Sequence, residues 1–467
     1  MVLAIFNSLG RKKEAFKPLE KDVRMYVCGP TTYDYAHIGN WRSFIFSDIL
    51  RRYLMYLGFN VREVMNVTDV DDKTIKGSLK QGVMLNEYTK KYEQAFLDDM
   101  KTLNIIKPDI MPRATEHIKE MVELIKKLEK NRHTYKSDGS TYFKISTFRD
   151  YGKLSGIKLD EVKSGCRIDK DEYEKEDARD FVLWKATGED EEKVGAVWET
   201  PFGKGRPGWH IECSAMSMKY LGETLDIHTG GVDLIFPHHE NEIAQSECAT
   251  GKQFVRYWLH CAHLIIEGEK MSKSKGNFFT LRDLIEKGHD PRALRYFLLS
   301  AHHRSPINLT TKALQDAKNS VGSIDNFMDR LRDADGKVTD ESGTISMIAD
   351  AKKGFEKAMN DDLNMPNALS ALFEFMRCSN RMIDEGNLGK QAAKKIHNQM
   401  LEFDKVLGII KFRATGELTE DEKKLVEKRE KFRKEKKFKE ADIIREQLKK
   451  KGVLLEDKPD GVRWKRV

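Results

Sequence analysis

The chain has 467 residues, of which 39% are hydrophobic and 34% are charged, and its formal net charge is +7. A single hydrophobic core stops growing at about 250–300 residues, so this length predicts about two to four domains. No apolar run reaches the roughly 18 residues that a membrane helix needs, and the N-terminal apolar patch precedes its basic cluster, the reverse of a secretory signal. We therefore expect a globular cytoplasmic protein that acts as a monomer without a membrane partner.

The first elements in the chain predict a parallel sheet. "VRMYVCG" from Val23 reads as a buried strand, and "IGNWRSFIFSDILRRYLMYLG" has apolar residues at helical spacing with Gly58 at its end. "NVREVMNVTD" follows as a second strand. Strand, helix and strand in this order form a βαβ unit, which favours a Rossmann-like α/β fold. The GxGxxG fingerprint of dinucleotide binding does not occur within this βαβ unit.

The composition changes from about Pro112 to Gly205, where "KSDGSTYFKIS" predicts a hairpin inside an inserted segment. Short strands and helices resume at "GWHIECSAM". Beyond Thr310 we expect helices, because apolar residues step by three and four along one helical face: Leu314, Ala317, Val321, Ile324, Met328 and Leu331. Similar faces near Ile345–Met359, Pro366–Met376 and Ile396–Leu407 predict a helical bundle.

The C-terminal end carries the positive charge. The 47 residues from Asp421 hold 18 Lys/Arg and 11 Asp/Glu, a difference of +7, so the preceding 420 residues hold 64 of each. We expect one Lys/Glu-rich helix at about Thr419–Lys450, followed by a short end. A local basic tail is typical of nucleic-acid binding, but a solubilising helix rich in salt bridges has the same composition, and charge alone leaves both readings open.

These elements predict five segments. They are the first half of a Rossmann-like domain (1–111), an inserted connective domain (112–205), the second half of the Rossmann-like domain (206–310), a helical bundle (311–410) and a small basic module (411–467).

Six cysteines are too few for a disulfide framework in a chain of this length, and none forms a Cys-x-x-Cys pair: Cys28, Cys166, Cys213, Cys248, Cys261 and Cys378. A metal site must therefore collect its ligands from distant segments. Six of the 13 histidines lie between His210 and His263, which indicates a site there. In "PHHENE", His238 and Glu242 are four residues apart and share a helix face, so they can both bind zinc, whereas His239 is expected to face elsewhere. A capped helix start with solvated charges is the alternative.

Two further segments favour polyphosphate binding. His37 and Asn40 lie where a loop turns into a helix, and free N–H groups and the helix dipole attract phosphate there. A histidine that merely caps the helix is the alternative. "KMSKSKG", Lys270 to Gly276, alternates lysines with small polar residues, so it suits a mobile cationic loop that closes over a triphosphate. Any surface loop could share this composition.

Together these segments identify a resemblance to class I aminoacyl-tRNA synthetases, whose signatures are His-Ile-Gly-His and Lys-Met-Ser-Lys-Ser. The second is complete at Lys270–Ser274, and the first occurs as His37-Ile38-Gly39-Asn40. Within that class the chain is similar to the cysteinyl-tRNA synthetase family over nearly its whole length. The stretches that carry this are "YVCGPTTYDYAHIGNWRSF", "NVTDVDDK", "PRATEHI", "GKGRPGWHIECSAM", "HTGGVDLIFPHHENEIAQSE", "EGEKMSKSKGN" and "DPRALRYFLLSAHHR".

The resemblance implies one zinc ion per chain, held by two cysteines, a histidine and a glutamate. The matching positions are Cys28, Cys213, His238 and Glu242. It further implies that cysteine and ATP, with Mg²⁺, form an adenylate that is passed to cysteine tRNA. The implied catalytic residues are His37, Asn40, Lys270 and Lys273. ATP would contact His37, Asn40, Lys273, Gly230, Gly231 and Asp233, and cysteine would be framed by Gly29, Thr68 and Trp209. Asn40 departs from the family's histidine, since an amide cannot become cationic.

Two other functions fit parts of the sequence. A zinc-dependent ligase could transfer activated cysteine to a small amine, but the bundle and basic tail argue against it. A tRNA-binding protein without catalysis is the other, and the complete Lys-Met-Ser-Lys-Ser signature argues against that.

Overall fold

The computed structural model describes residues 2–157, 180–271, 276–336, 341–410, 420–435, 437–450, 453–458 and 461–466. The chain divides into two compact units, Met1–Ile409 and Ile410–Val467. Among the described residues, no helix is both long enough and apolar enough to cross a membrane.

The N-terminal part contains the predicted βαβ unit. Its elements are β1 (Ala4–Asn7), β2 (Lys12–Ala15), β3 (Asp22–Val27), α1 (Ile38–Tyr56), β4 (Asn60–Met65), α2 (Asp72–Gln81) and α3 (Leu85–Thr102). Strands β3 and β4 pair in parallel, with Tyr26 opposite Val64. The parallel pairing inferred from periodicity is therefore confirmed.

The inserted segment forms its own antiparallel sheet in the order β5-β6-β7-β9-β8. Its elements are α4 (Ile118–Lys130), β5 (Thr134–Ser137), β6 (Ser140–Phe143), β7 (Phe181–Ala186), α5 (Glu189–Lys193), β8 (Trp198–Thr200) and β9 (Gly203–Pro207). The predicted hairpin is β5–β6. Asp138 and Gly139 have φ angles of 46° and 75°, as a two-residue hairpin turn requires.

The chain then returns to the parallel sheet. The elements are α6 (Trp209–Leu221), β10 (Leu225–Gly231), α7 (Glu240–Thr250), β11 (Val255–Cys261), β12 (Leu264–Ile266), β13 (Glu269–Lys270), α8 (Leu281–Glu286), α9 (Pro291–Ser300) and β14 (Ile307–Leu309). Strand β10 lies between β11 and β3, and the order β11-β10-β3-β4 is parallel throughout. Cys28 and Gly231 therefore lie at the same carboxyl edge, where open α/β sheets bind ligands.

A helical bundle follows, as predicted. Its helices are α10 (Thr311–Asp333), α11 (Glu341–Asn360), α12 (Met365–Asp384) and α13 (Lys390–Leu407). The apolar face identified in the sequence of α10 is buried. Polar contacts join this bundle to the sheet domain. Arg295 donates to the carbonyl of Leu407 at 2.8 Å and to Asp48 Oδ2 at 2.6 Å, and Asp362 accepts from Arg304 Nε at 2.7 Å.

The second unit contains α14 (Glu420–Lys434), α15 (Phe438–Lys450), β15 (Val453–Lys458) and β16 (Gly461–Arg466). The prediction of one helix at Thr419–Lys450 is wrong, because the chain leaves helix between α14 and α15; Thr419 itself lies outside the described residues. A buried apolar cluster explains the turn: Ile444, Leu448, Val453 and Leu455 pack together, with Leu425 and Val426 of α14 against them. One straight helix could not bring these side chains into a common core.

Candidate active site

Four donor side chains from separate segments meet at the carboxyl edge of the sheet. Cys28 follows β3, Cys213 is on α6, His238 precedes α7 and Glu242 is in its first turn. The Cys28 and Cys213 sulfurs are 4.0 Å apart, and Glu242 Oε1 is 3.8 Å from Cys28 Sγ and 3.0 Å from His238 Nε2. All four donor atoms lie within 4.8 Å of one another. The structure thus brings together the four positions that the resemblance singled out.

These distances fit a tetrahedral zinc ion. Zinc binds sulfur at about 2.3 Å and nitrogen or oxygen at about 2.0–2.2 Å, so tetrahedral donors are separated by about 3.3–3.8 Å. The observed separations of 3.0, 3.8 and 4.0 Å surround that range. Two thiols exclude Mg²⁺ and Ca²⁺ as the preferred ions, because both prefer oxygen ligands.

The protonation of the cluster favours a cation. Burial raises the pKa of Glu242, but the charges of His228 and His238 outweigh burial and hold it at about 2. Burial opposes a charge on His238, yet Cys213 and Glu242 raise its pKa to about 10. Burial likewise disfavours the Cys213 thiolate, but hydrogen bonding from Cys28 and the charge of His238 lower its pKa to about 6. These shifts favour the anionic forms of Glu242 and Cys213, which are the forms that bind a divalent metal, and a metal would displace the proton that His238 carries.

The prediction that His239 faces away from the site is wrong. Its Nε2 lies 3.3 Å from Cys28 Sγ and 4.0 Å from Glu242 Oε1. Ile235–His239 is a π-type turn in which Phe236 has the non-helical angles φ −136° and ψ 131°, so regular α-helical spacing begins only at Glu240. A second donor set therefore overlaps the first and shares two of its members; it consists of Cys28, His228, His239 and Glu242.

Further histidines form a hydrogen-bonded layer around the cluster. His239 Nδ1 is 2.8 Å from His260 Nε2, and His260 Nδ1 is 2.7 Å from Ser8 Oγ. His210 Nδ1 is 2.9 Å from His238 Nδ1, and His228 Nε2 is 3.0 Å from Glu242 Oε2. Partners of this kind orient metal ligands. The clustering of histidines in the sequence indicated a site here, whereas this hydrogen-bonded layer was not predicted.

The other two residues of "PHHENE" after the histidines, Glu240 and Asn241, hold a neighbouring loop. Glu240 is buried and accepts hydrogen bonds from the backbone N–H groups of Gly152 at 2.9 Å and Ser155 at 2.8 Å. Asn241 accepts from the Tyr151 hydroxyl. The residues of this motif therefore have two roles. His238, His239 and Glu242 reach the donor cluster, and Glu240 and Asn241 hold the loop.

The residues proposed to frame the amino acid lie beside the cluster. The Trp209 ring stacks on His238 with centroids 4.1 Å apart. A Cβ at Gly29 would lie 1.8 Å from the Asn66 carbonyl oxygen, so only glycine fits there. The Thr68 hydroxyl accepts from Asn66 Nδ2 at 3.1 Å and donates to Glu212 Oε2 at 3.0 Å. Sequence reasoning missed Asn66 and Glu212, which orient Thr68.

His37 and Asn40 form a reciprocal cap at the start of α1. The backbone N–H of Asn40 donates to His37 Nδ1 at 3.2 Å, and the backbone N–H of His37 donates to Asn40 Oδ1 at 3.1 Å. Since His37 Nδ1 accepts, the neutral ring carries its proton on Nε2, which suits a phosphate oxygen. The capping alternative and the phosphate hypothesis are thus compatible, because the cap orients the ring.

The other residues predicted to contact ATP lie in three places. Gly230 and Gly231 end β10, and a Cβ at Gly230 would lie 2.8 Å from His239 Cε1. Asp233 lies in the short turn Val232–Leu234. Lys273 lies outside the described residues, and only the backbone of Lys270, at the end of β13, lies within them.

Comparison with known proteins decides the family. Residues 15–319 match the family described as the tRNA synthetases class I (C) catalytic domain. A cysteine–tRNA ligase from Brachyspira hyodysenteriae is 49% identical, with 99% of each chain covered. The chain belongs to the cysteine–tRNA ligase family. A second cysteine–tRNA ligase, from Solibacter usitatus, is 47% identical over the full length of both chains. Residues 354–411 match the DALR domain and residues 415–464 the cysteinyl-tRNA ligase anticodon binding domain.

Solved structures confirm the predicted fold class. Mycobacterium tuberculosis methionyl-tRNA synthetase in complex with methionyl-adenylate superposes with a TM-score of 0.61 and 15% identity, covering 84% of this chain and 90% of that one. A putative arginyl-tRNA synthetase from Campylobacter jejuni gives 0.57 and 13% identity, covering 85% and 95%. The parallel-sheet domain with its following helices is the class I synthetase fold.

Proposed function

We propose that the chain activates L-cysteine with ATP to form cysteinyl-adenylate and then transfers the cysteinyl group to the 3′-terminal ribose of cysteine tRNA. Membership of the cysteine–tRNA ligase family supports the reaction. The single observation that carries the choice of amino acid is the cluster of Cys28, Cys213, His238 and Glu242 at the sheet edge. Its donor atoms suit a zinc ion, and its place matches where parallel sheets bind substrates.

When bound, zinc would supply a Lewis-acidic centre that favours a thiolate over a neutral hydroxyl. The difference matters because serine and cysteine are nearly isosteric. An apolar pocket separates such substrates by only about 1–3 kcal/mol, whereas a discrimination of 10⁴–10⁵ needs about 5.5–7 kcal/mol. The donor cluster offers a route to that discrimination without an editing domain.

The chain's own side chains would bind and orient the substrates. Gly29, Thr68 and Trp209 frame the amino acid beside the cluster, with Thr68 held by its two partners. His37 Nε2 donates to a phosphate oxygen of ATP, which enters with Mg²⁺. Gly230, Gly231 and Asp233 line the adenosine side. Asn40 supports His37 through the cap, and Lys270 and Lys273 stabilise the leaving pyrophosphate.

The helical bundle and the basic second unit would bind the tRNA. The second unit matches the cysteinyl-tRNA ligase anticodon binding domain, and its Trp464 is 39% exposed, which leaves the ring available to stack on a base. We assign segments 311–410 and 411–467 to this role and expect one chain to suffice for one tRNA.

The test is charging of cysteine tRNA by the purified full-length chain, together with cysteine-dependent pyrophosphate exchange and the metal content. Formation of cysteinyl-tRNA and one zinc per chain supports the proposal. Exchange without charging of tRNA, but with transfer to a small amine, would replace it by the small-amine ligase. Binding of tRNA without exchange would leave only a binding protein.

A further inference from the structure

The segment that follows the Lys-Met-Ser-Lys-Ser signature contacts the loop that carries His37. The backbone N–H of Ile38 donates to the carbonyl of Phe279 at 2.9 Å, and His37 and Thr280 form an antiparallel bridge. The Phe278 ring meets the His37 ring edge to face, with centroids 5.4 Å apart. The position of the His37 side chain therefore depends on where residues 278–280 lie.

Residues 278–280 lead directly into α8, which has only six residues. Thr280 caps this helix, with its hydroxyl oxygen accepting from the backbone N–H of Asp283 at 3.2 Å. A helix this short has little stability of its own, so contacts with the rest of the protein must hold it. Leu281 and Leu284 supply buried apolar contacts.

Arg282 provides polar contacts from α8 to two other segments. Its Nε donates to Asp99 Oδ1 at 3.0 Å, and one terminal nitrogen donates to the carbonyl of Ala95 at 3.1 Å. Both partners are on α3. The guanidinium also lies 4.9 Å from the centre of the Tyr35 ring, two residues before His37 in the chain. One side chain thus connects α8, α3 and the His37 loop.

The partners of Arg282 are themselves firmly held. The Asp99 carboxylate is buried. Tyr35 packs edge to face against Tyr92 of α3 at 5.3 Å, and the hydroxyl of Tyr88 donates to the carbonyl of Tyr33 at 2.6 Å. The His37 loop and α3 therefore form one packed body, and Arg282 fastens α8 to it.

We propose that Arg282 is a positioning residue for the nucleotide side of the reaction. It keeps residues 278–280 in contact with His37, so that the imidazole holds the orientation in which Nε2 faces a phosphate. Arg282 itself touches no substrate. The inference rests on the proposed function, because it takes His37 as a phosphate contact.

The experiment compares Arg282→Ala and Arg282→Lys in the full-length chain by cysteine-dependent pyrophosphate exchange, varying ATP and cysteine separately. Arg282→Ala should lower kcat/KM for ATP by at least about tenfold, since a misplaced catalytic contact costs about one to two decades. The KM for cysteine should change by less than about threefold, and zinc content should not change, because the donor cluster lies on other elements. Arg282→Lys should keep part of this kcat/KM for ATP, because lysine can still pair with Asp99 but lacks the planar guanidinium that also donates to the Ala95 carbonyl.

Arg292→Ala is the matched control. Arg292 is the second residue of the next helix, α9, and it pairs with Asp325 of the bundle through two contacts of 2.9 Å, away from the His37 loop. The Arg292→Ala variant should have a lower melting temperature but no selective loss of kcat/KM for ATP. Equal losses of kcat/KM for ATP and for cysteine in Arg282→Ala would overturn the positioning role. A loss of kcat/KM for ATP in Arg292→Ala as large as that in Arg282→Ala would overturn it as well. Failure of the proposed function appears separately, as absent exchange in the unmodified chain.

Discussion

Replacing His238 and His239 by alanine, one at a time, distinguishes the two overlapping donor sets. His238 belongs only to the set with Cys213, and His239 only to the set with His228. We predict that His238→Ala removes a metal ligand, whereas His239→Ala removes a hydrogen-bonding partner of Cys28. Metal affinity should therefore fall in both variants, but much further in the first.

The expected sizes follow from the contacts. A structural zinc site contributes about 10–16 kcal/mol, or about 2.5–4 kcal/mol for each of its four ligands. Loss of His238 should thus weaken zinc binding by about 10²- to 10³-fold. His239 is 3.3 Å from Cys28 Sγ and is bonded to His260, which places it among the partners that orient ligands. Loss of such a partner weakens metal binding by about 10- to 100-fold.

The assay is competition for zinc with a chromophoric chelator, with bound zinc measured by mass spectrometry and unfolding followed by circular dichroism. His263→Ala is the control, because His263 is exposed, and it should bind zinc normally. Cys213→Ser should resemble His238→Ala. If His239→Ala instead releases zinc more readily than His238→Ala, and Cys213→Ser retains it, the metal is held by the second set and the assignment is wrong.

Four further predictions concern the nucleotide and the tRNA. Lys273→Ala should slow adenylate formation by at least about 10²-fold, as expected for one preorganised charge contact, and near-normal pyrophosphate exchange would remove Lys273 from the mechanism. Asn40→His should keep exchange within about tenfold, because an imidazole nitrogen can also accept from the His37 N–H, and an inactive variant would show that this cap tolerates only asparagine. Truncation after Ile409, where the first compact unit ends, should preserve exchange and abolish tRNA charging; full charging would refute the division of roles. A cut after Thr310, the predicted end of the catalytic domain, should lower exchange, although the sequence alone predicts that some activation survives it, because the cut removes Asp362 and Leu407, which accept hydrogen bonds from Arg304 and Arg295.

Local patterns in the sequence were sufficient for most of the architecture. Alternation and helical spacing depend on neighbouring residues, so β3, α1 and β4, the Asp138–Gly139 hairpin and the buried face of α10 could all be predicted. The resemblance supplied the four donor positions as a set.

Tertiary structure decided what depends on residues far apart in the chain. The break between α14 and α15 follows from the core that both helices form with β15. The apolar spacing along one helix does not reveal such a core. The orientation of His239 follows from the irregular turn at Phe236, and its approach to Cys28 joins positions separated by 211 residues. Arg282 reads in the sequence as one charge on a short helix, yet it joins α3, α8 and the His37 loop. Sequence periodicity records which face of an element is apolar, whereas the partner of each polar side chain is determined by how the elements pack.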